Sequence, residues 1–126
     1  MIINSFPRLS YIYNKNFETT NTAKSLLIGL NKLNEHNILW LNGDVVFDHR
    51  IIKNIIKYPG ACMAVNKSRV GDEEVKYRTN NLGFVIEVSK EVDNPEGESV
   101  GIHKIYSQDI LFIMKYLIYK TKFYYA

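Results

Sequence analysis

One cysteine, Cys62, occurs among the 126 residues of the chain, so no intrachain disulfide and no cysteine-rich zinc site can form. It lies in the apolar run Ala61 to Val65, where a thiol packs as an inert small hydrophobe rather than serving as a nucleophile. An excess of one charge is also missing. Sixteen Lys and Arg stand against thirteen Asp and Glu, a net charge of +3 with the signs interspersed. That bias is too small to argue nucleic-acid binding, although it leaves room for a basic phosphate pocket. Long apolar runs are absent as well: Ile110 to Tyr119 is interrupted by Lys115 and falls short of the ~20 residues that a membrane span needs. The first residues lack the basic and apolar regions of a signal peptide, so a reducing cytoplasm is the expected compartment. No repeat or low-complexity segment appears. What is present is 46% apolar and 23% charged, an ordinary globular composition at a length that suits one compact domain, 1–126.

The rest of the chain can be arranged around ILWLNGDVVFD, Ile38 to Asp48. Ile38 to Asn42 is mostly apolar and unbroken, the pattern of a strand buried on both faces, and it runs directly into Gly43 and Asp44. A carboxylate at the end of a core strand stands where ligands bind in open α/β sheets, and an oxygen ligand there can hold Mg2+ against phosphates. Asn-Gly-Asp is equally a turn composition, so the two readings compete on this stretch alone.

Upstream, Ser10 to Tyr13 reads as a short strand that ends in the polar loop Asn14 to Thr20. Ala23, Leu26, Leu27, Leu30 and Leu33 then follow helical spacing, with Thr20 or Asn21 as cap and Asn34 to Asn37 as stop. Downstream of Asp44, Asp48 caps a second helix carrying Ile51, Ile52, Ile55 and Ile56, which Tyr58-Pro59-Gly60 ends. Ala61 to Val65 is a third core strand. Strand, helix, strand order is the signature of parallel pairing. Two alternating runs, Glu74 to Arg78 and Phe84 to Ser89, flank the turn Asn80 to Gly83 and make an antiparallel hairpin. After the loop Lys90 to Ser99, a strand from Val100 to Ile105 precedes a last helix from Ser107 to about Tyr119. That helix is apolar around nearly its whole circumference and requires cover. The expected fold is a partly parallel, Rossmann-like α/β sheet with flanking helices and an antiparallel hairpin.

Candidate chemistry centres on Asp44, since a lone carboxylate becomes a metal site once substrate phosphates or a second acid complete it. Asp48 is committed to its cap. Asn14, Asn16 and Asn21, with Ser25 one turn into the helix, can hydrogen-bond a polar ligand but are also ordinary turn formers. Lys90, between a strand and a flexible loop, can reach a phosphate as a point charge, although surface lysines are usually just solvated. Glu98 precedes Val100-Gly101-Ile102, where Gly101 permits close approach of a ligand to the strand. Glu73, Glu74 and Lys76 read as a solvated charge cluster. His36, His49 and His103 show no metal-ligand spacing and receive no catalytic role.

Three pieces in this order, YNKNFETTNTAKSLLIGL, ILWLNGDVVFD, and the pair GFVIEVSK and GESVGI, together resemble the central part of the sugar-phosphate and choline-phosphate nucleotidyltransferases. The nearest flavour is the cytidylyltransferase branch that activates choline phosphate or aminoethylphosphonate, and the resemblance covers about Tyr13 to Ile105. It implies an α/β fold and a reaction in which CTP or another nucleoside triphosphate meets a phosphorylated sugar, choline phosphate or phosphonate and releases pyrophosphate. It further implies Asp44 as the catalytic Mg2+ ligand, Asn21, Ser25 and Gly43 at the nucleotide, and Lys90, Glu98 and Gly101 at the acceptor, with Lys90 also catalytic. Attack of a phosphate oxygen on the α-phosphorus brings anions together, which Mg2+ and lysines must neutralise.

Two departures accompany the match. The family's Gly-rich loop with its arginine and lysine is missing, since Gly29, Gly43, Gly60, Gly71, Gly83, Gly97 and Gly101 form no such pattern. The family's second metal-binding acid is also missing, the sequence reaching Tyr125-Ala126 about where its segment should begin. The expectation is a truncated, incomplete domain of weak or absent activity. A non-catalytic binding or oligomerisation module on the same scaffold, associating through its apolar C-terminal segment, is the alternative. A glycosyltransferase-type sugar-binding domain fits less well, because Asp44 with Asp48 is a poor imitation of the spaced acid pair used there.

Overall fold

The structure is a computed structural model that describes residues 2–33, 35–68 and 70–123. The chain divides into two units, one formed by the residues up to His36 together with those from Ser107 onward, the other by Asn37–Tyr106.

The first unit is helical. A single turn, α1 (Ile2–Ser5), and a 3-10 turn (Phe17–Thr19) precede α2 (Thr22–Leu33), and α4 (Ser107–Phe123) completes it. Helix α2 packs on α4, and Leu27, Leu30 and Ile110 are the buried side chains. Helix α2 starts where its polar flank predicts, with Asn21 Oδ1 accepting from Lys24 N at 3.2 Å, a bond that satisfies an amide the first turn leaves open. Of the expected stop, Asn34 lies outside the described residues. Ser10 to Tyr13 is not a strand. Its residues favour extended structure, but no strand pairs with them among the described residues, and Tyr11 and Ile12 are exposed; propensity without a ladder does not make a sheet. Ile110 is fully covered on α4 while Leu111 and Phe112 are exposed, so the all-round apolar pattern is only partly buried.

The second unit is a five-stranded sheet built on the long strand β5 (Gly97–Ile105). Strands β1 (Ile38–Leu41) and β2 (Cys62–Asn66) flank β5 on opposite edges, so that Lys104 faces Leu39 on one side and Cys62 on the other. Strand β3 (Lys76–Thr79) shares the β1 edge, pairing Lys76 with Glu98, and β4 (Val85–Ser89) closes the expected hairpin. Every pairing among the described residues is antiparallel, which corrects the partly parallel sheet. The strand, helix, strand inference fails for a specific reason. β1 and β2, linked by α3 (His49–Lys57), do run in the same direction, but β5 lies between them and takes both ladders.

Local chemistry fixes the pieces. Asp48 caps α3 as expected: its carboxylate accepts from Arg50 N at 2.8 Å and holds the Arg50 guanidinium at 2.7 Å, which keeps the acid below the usual carboxylate range. At the other end of α3, the buried Lys104 ammonium donates to the carbonyls of Ile56 and Tyr58, supplying a cation where helix carbonyls lack partners. Strand β1 is less covered than its sequence suggests, running from buried Ile38 to Leu41, which is 40% exposed. Strand β5 starts at Gly97 instead of Val100. Any side chain at 97 would overlap the Asn66 carbonyl and crowd Tyr77 Cε1 at 3.0 Å, so the glycine belongs to the sheet rather than to the preceding loop. No helix among the described residues is long and apolar enough to cross a membrane.

Candidate functional site

On the edge of β5 that β1 and β3 share, the two strands stop short of each other. The Asn42 N–H donates to the Gly101 carbonyl at 2.9 Å, and the Ser99 N–H donates to the Val75 carbonyl at 2.8 Å. Between those bonds the ladder is open. On the far edge, Met63 faces His103 and Val65 faces Ser99, so that Ala64 alone spans Val100 to Ile102 and β5 bulges. Gly101 absorbs the bulge with a φ of +74°, in the left-handed region that a glycine adopts without strain.

A hollow of about 320 Å3 lies in this break, lined by Asn42, Asp44, Val45, the segment Glu73 to Val75, and Glu98 to Gly101. Asp44, Glu98 and Gly101, singled out from separate parts of the sequence, therefore meet at one place. Gly43 precedes Asp44 in an open turn where a Cβ would touch nothing within 4 Å. Glu98 is aimed by its cross-strand neighbour: Asn66 Nδ2 donates to Glu98 Oε1 at 3.0 Å, while Asn66 Oδ1 accepts from Ser68 N at 3.0 Å. The approach of β3 to this site is fastened from the other side. Glu96 Oε1 accepts from the Thr79 hydroxyl at 2.6 Å and from Thr79 N at 2.7 Å, bonds that hold Glu96 below its ordinary range.

Lys90 is not in the lining. Its ammonium pairs with Glu73 Oε2 at 3.1 Å, and Glu73 is part of the wall, so the cation stands one side chain behind the hollow. Both partners are exposed, and such a pair is weak enough to exchange partners. Asn21 and Ser25 belong to the helical unit, where both are used locally: Asn21 as the cap of α2, and Ser25 Oγ as acceptor from Asn14 Nδ2 at 3.0 Å. Glu73 and Glu74 are exposed, as the solvated-cluster reading expects, and they also border the hollow. Only the long-range register that sets Lys76 opposite Glu98 brings them there, and nothing local in the sequence signals it. Asn42 and Ser99 were also missed, although Asn42 stands at the strand end where Asp44 was noticed.

The wall presents the carboxylates of Asp44, Glu73, Glu74 and Glu98 and no cationic side chain. A free polyanion is repelled from such a surface, and a cation or a metal-bound anion is attracted. The donor set is entirely oxygen, which suits Mg2+. Among the described residues no three His, Cys, Asp or Glu side chains come together closely enough to hold a metal by themselves. An ion here would keep water or phosphate ligands, as Mg2+ characteristically does.

In the adjoining β1–β5 ladder, Trp40 of β1 stacks on His103 of β5 with ring centroids 4.3 Å apart and planes 26° from parallel. Burial pushes the His103 pKa down from 6.5 to about 4, so the imidazole is neutral at ordinary pH. No family model, curated protein or solved structure matches the chain.

Proposed function

We propose that this chain is a nucleotidyltransferase-like domain that takes a Mg2+-bound nucleoside triphosphate, CTP foremost, at the break between β1 and β3. Its ancestral reaction in this reading is transfer of the nucleotidyl group to a phosphorylated sugar, choline phosphate or phosphonate. The observation that carries the proposal is the meeting of Asp44 with Glu98 and Gly101 in one oxygen-lined hollow, which agrees with the resemblance of the three sequence pieces. The sheet is then a variant of a Rossmann-like arrangement in which antiparallel β5 separates two co-directional strands.

An oxygen of the acceptor phosphate attacks the α-phosphorus, the bond to the β-phosphate oxygen breaks, and pyrophosphate departs. Mg2+ bound at Asp44 would offset the charge of the anions that meet there. Glu98, held by Asn66, orients the acceptor, and Lys90 reaches its phosphate by exchanging Glu73 for it. Without a Gly-rich phosphate loop among these residues, binding outlasts catalysis, and pyrophosphate release by this chain is weak or absent.

Thermal unfolding with CTP, UTP and other triphosphates, each with Mg2+, tests the binding. Saturating ligand is expected to raise the midpoint by roughly 5 °C, and Asp44→Asn to abolish the rise. If no triphosphate shifts the midpoint, or if Asp44→Asn responds like the parent, the proposal is wrong.

A second reading, a non-catalytic oligomerisation module, draws on the exposure of Leu111 and Phe112 on α4, 63% and 75%. The apolar end from which it was first argued runs into Tyr124 to Ala126, outside the described residues. Sedimentation velocity over a concentration series decides it, since monomers throughout would dismiss association.

A further inference from the structure

Asn42 is the wall residue that neither the sequence pattern nor the resemblance assigns a role. Its backbone N–H closes the β1 ladder onto Gly101, yet its carboxamide makes no hydrogen bond among the described residues and lines the hollow. It is also packed against a backbone that accommodates it. A Cβ at Gly101 would come within 2.6 Å of Asn42 Nδ2 and 2.8 Å of Cγ. Any other residue at 101 would therefore meet a steric conflict as well as an unfavourable φ.

The chemistry of the wall gives this carboxamide a task. Its side chains are four carboxylates, three valines, one hydroxyl and one carboxamide. Acceptors dominate, whereas a phosphate oxygen needs donors. Ser99 Oγ already accepts from Gly101 N at 3.4 Å, so its hydroxyl proton is directed elsewhere. Asn42 Nδ2 carries two N–H groups and is the one side-chain nitrogen of the wall.

We infer that Asn42 is a ligand-contacting residue whose carboxamide N–H donates to a phosphate oxygen of the Mg2+-bound nucleotide, and that Gly101 is the positioning residue that leaves it room. This rests on the nucleotide reading above and adds to it a nitrogen donor in a wall where acceptors dominate. Asn42 then supplies a neutral counterpart to Asp44: the acid holds the cation, and the amide reads the anion that the cation brings.

The test uses the whole chain with Mg2+·CTP and Mg2+·UTP, and Mg2+ alone as control. Because the carboxamide makes no hydrogen bond among the described residues, Asn42→Ala should leave the ligand-free midpoint unchanged while weakening the better triphosphate about tenfold, the range for a hydrogen bond to a charged group. In a 15N correlation spectrum, the Asn42 side-chain NH2 pair should shift with the triphosphate and stay put with Mg2+ alone. Gly101→Ala should lower the ligand-free midpoint, and adding Asn42→Ala to it should restore part of that loss without restoring affinity. If the parent binds a triphosphate, Asp44→Asn abolishes the binding, and Asn42→Ala keeps full affinity, this inference falls while the nucleotide reading stands. A parent that binds none removes both. Should Gly101→Ala fail to fold, the Asn42→Ala affinity and the NH2 shift decide alone.

Discussion

Two stretches of this chain are rich in asparagine and short polar side chains, and they differ in where those side chains spend their hydrogen bonds. In the loop from Asn14 to Ser25 the bonds turn inward. Asn14 Nδ2 donates to Thr20 Oγ1 at 2.8 Å and to Ser25 Oγ at 3.0 Å, Asn14 Oδ1 accepts from Asn16 N at 3.1 Å, and Asn21 caps α2. In the turn from Asn42 to Asp44 the side chains are exposed and face a hollow, and the Asn42 carboxamide bonds to nothing among the described residues. Residue type is the same in both places. What separates a structural asparagine from a ligand-facing one is whether the fold has already consumed its donors and acceptors.

The contrast can be broken hardest at the start of β5, the strand on which the hollow is built. Gly97→Ala puts a methyl group against the Asn66 carbonyl, which is held in the β2 ladder, and beside Tyr77. A loss of about 3 kcal/mol in urea unfolding is expected, because the Asn66 backbone on one side and the buried Tyr77 ring on the other resist relaxation. A change near zero would mean that the start of β5 yields freely. Asn14→Ala is the matching change in the loop. It removes three side-chain bonds, one of them partly buried, and should lower stability by roughly 1 kcal/mol, leaving the response to Mg2+·CTP intact. Loss of that response would erase the distinction between the two stretches.

A further effect depends on pH. The unfolded chain protonates His103 near 6.5, and the folded chain does so only at about 4. Between those values the unfolded state binds more protons, so stability falls as pH falls across the window and the loss is complete below it. Replacing His103 by Phe keeps a ring against Trp40 and should flatten this part of the profile. An unchanged acid dependence in urea titrations at several pH values would show that the burial of the imidazole has been misjudged.

Much of the local structure was legible in the residues. Asp48 followed by isoleucines at helical spacing gave a capped helix, and Asn80 to Gly83 gave a hairpin turn, because caps and turns are settled by the few side chains within reach. The β-favouring letters of Ser10 to Tyr13 misled, since a strand exists only by its neighbour. Asp44, Glu98 and Gly101 stand out singly, but nothing in their spacing says that they meet, and Glu73 and Glu74 are solvent-facing charge whose place at the hollow the sequence does not signal.

The sequence by itself determined where the helices α2, α3 and α4 and most of the strands of the second unit lie, and that a carboxylate follows β1. These depend on periodicity and on contacts a few residues long. Only the tertiary structure decided that β5 enters between β1 and β2, that β3 follows β1 along the same edge, and that a gap is left there for Asp44 and Asn42 to face. Pairing order and register join residues that are distant in the chain, and the energy that selects them belongs to the assembled sheet rather than to any one segment.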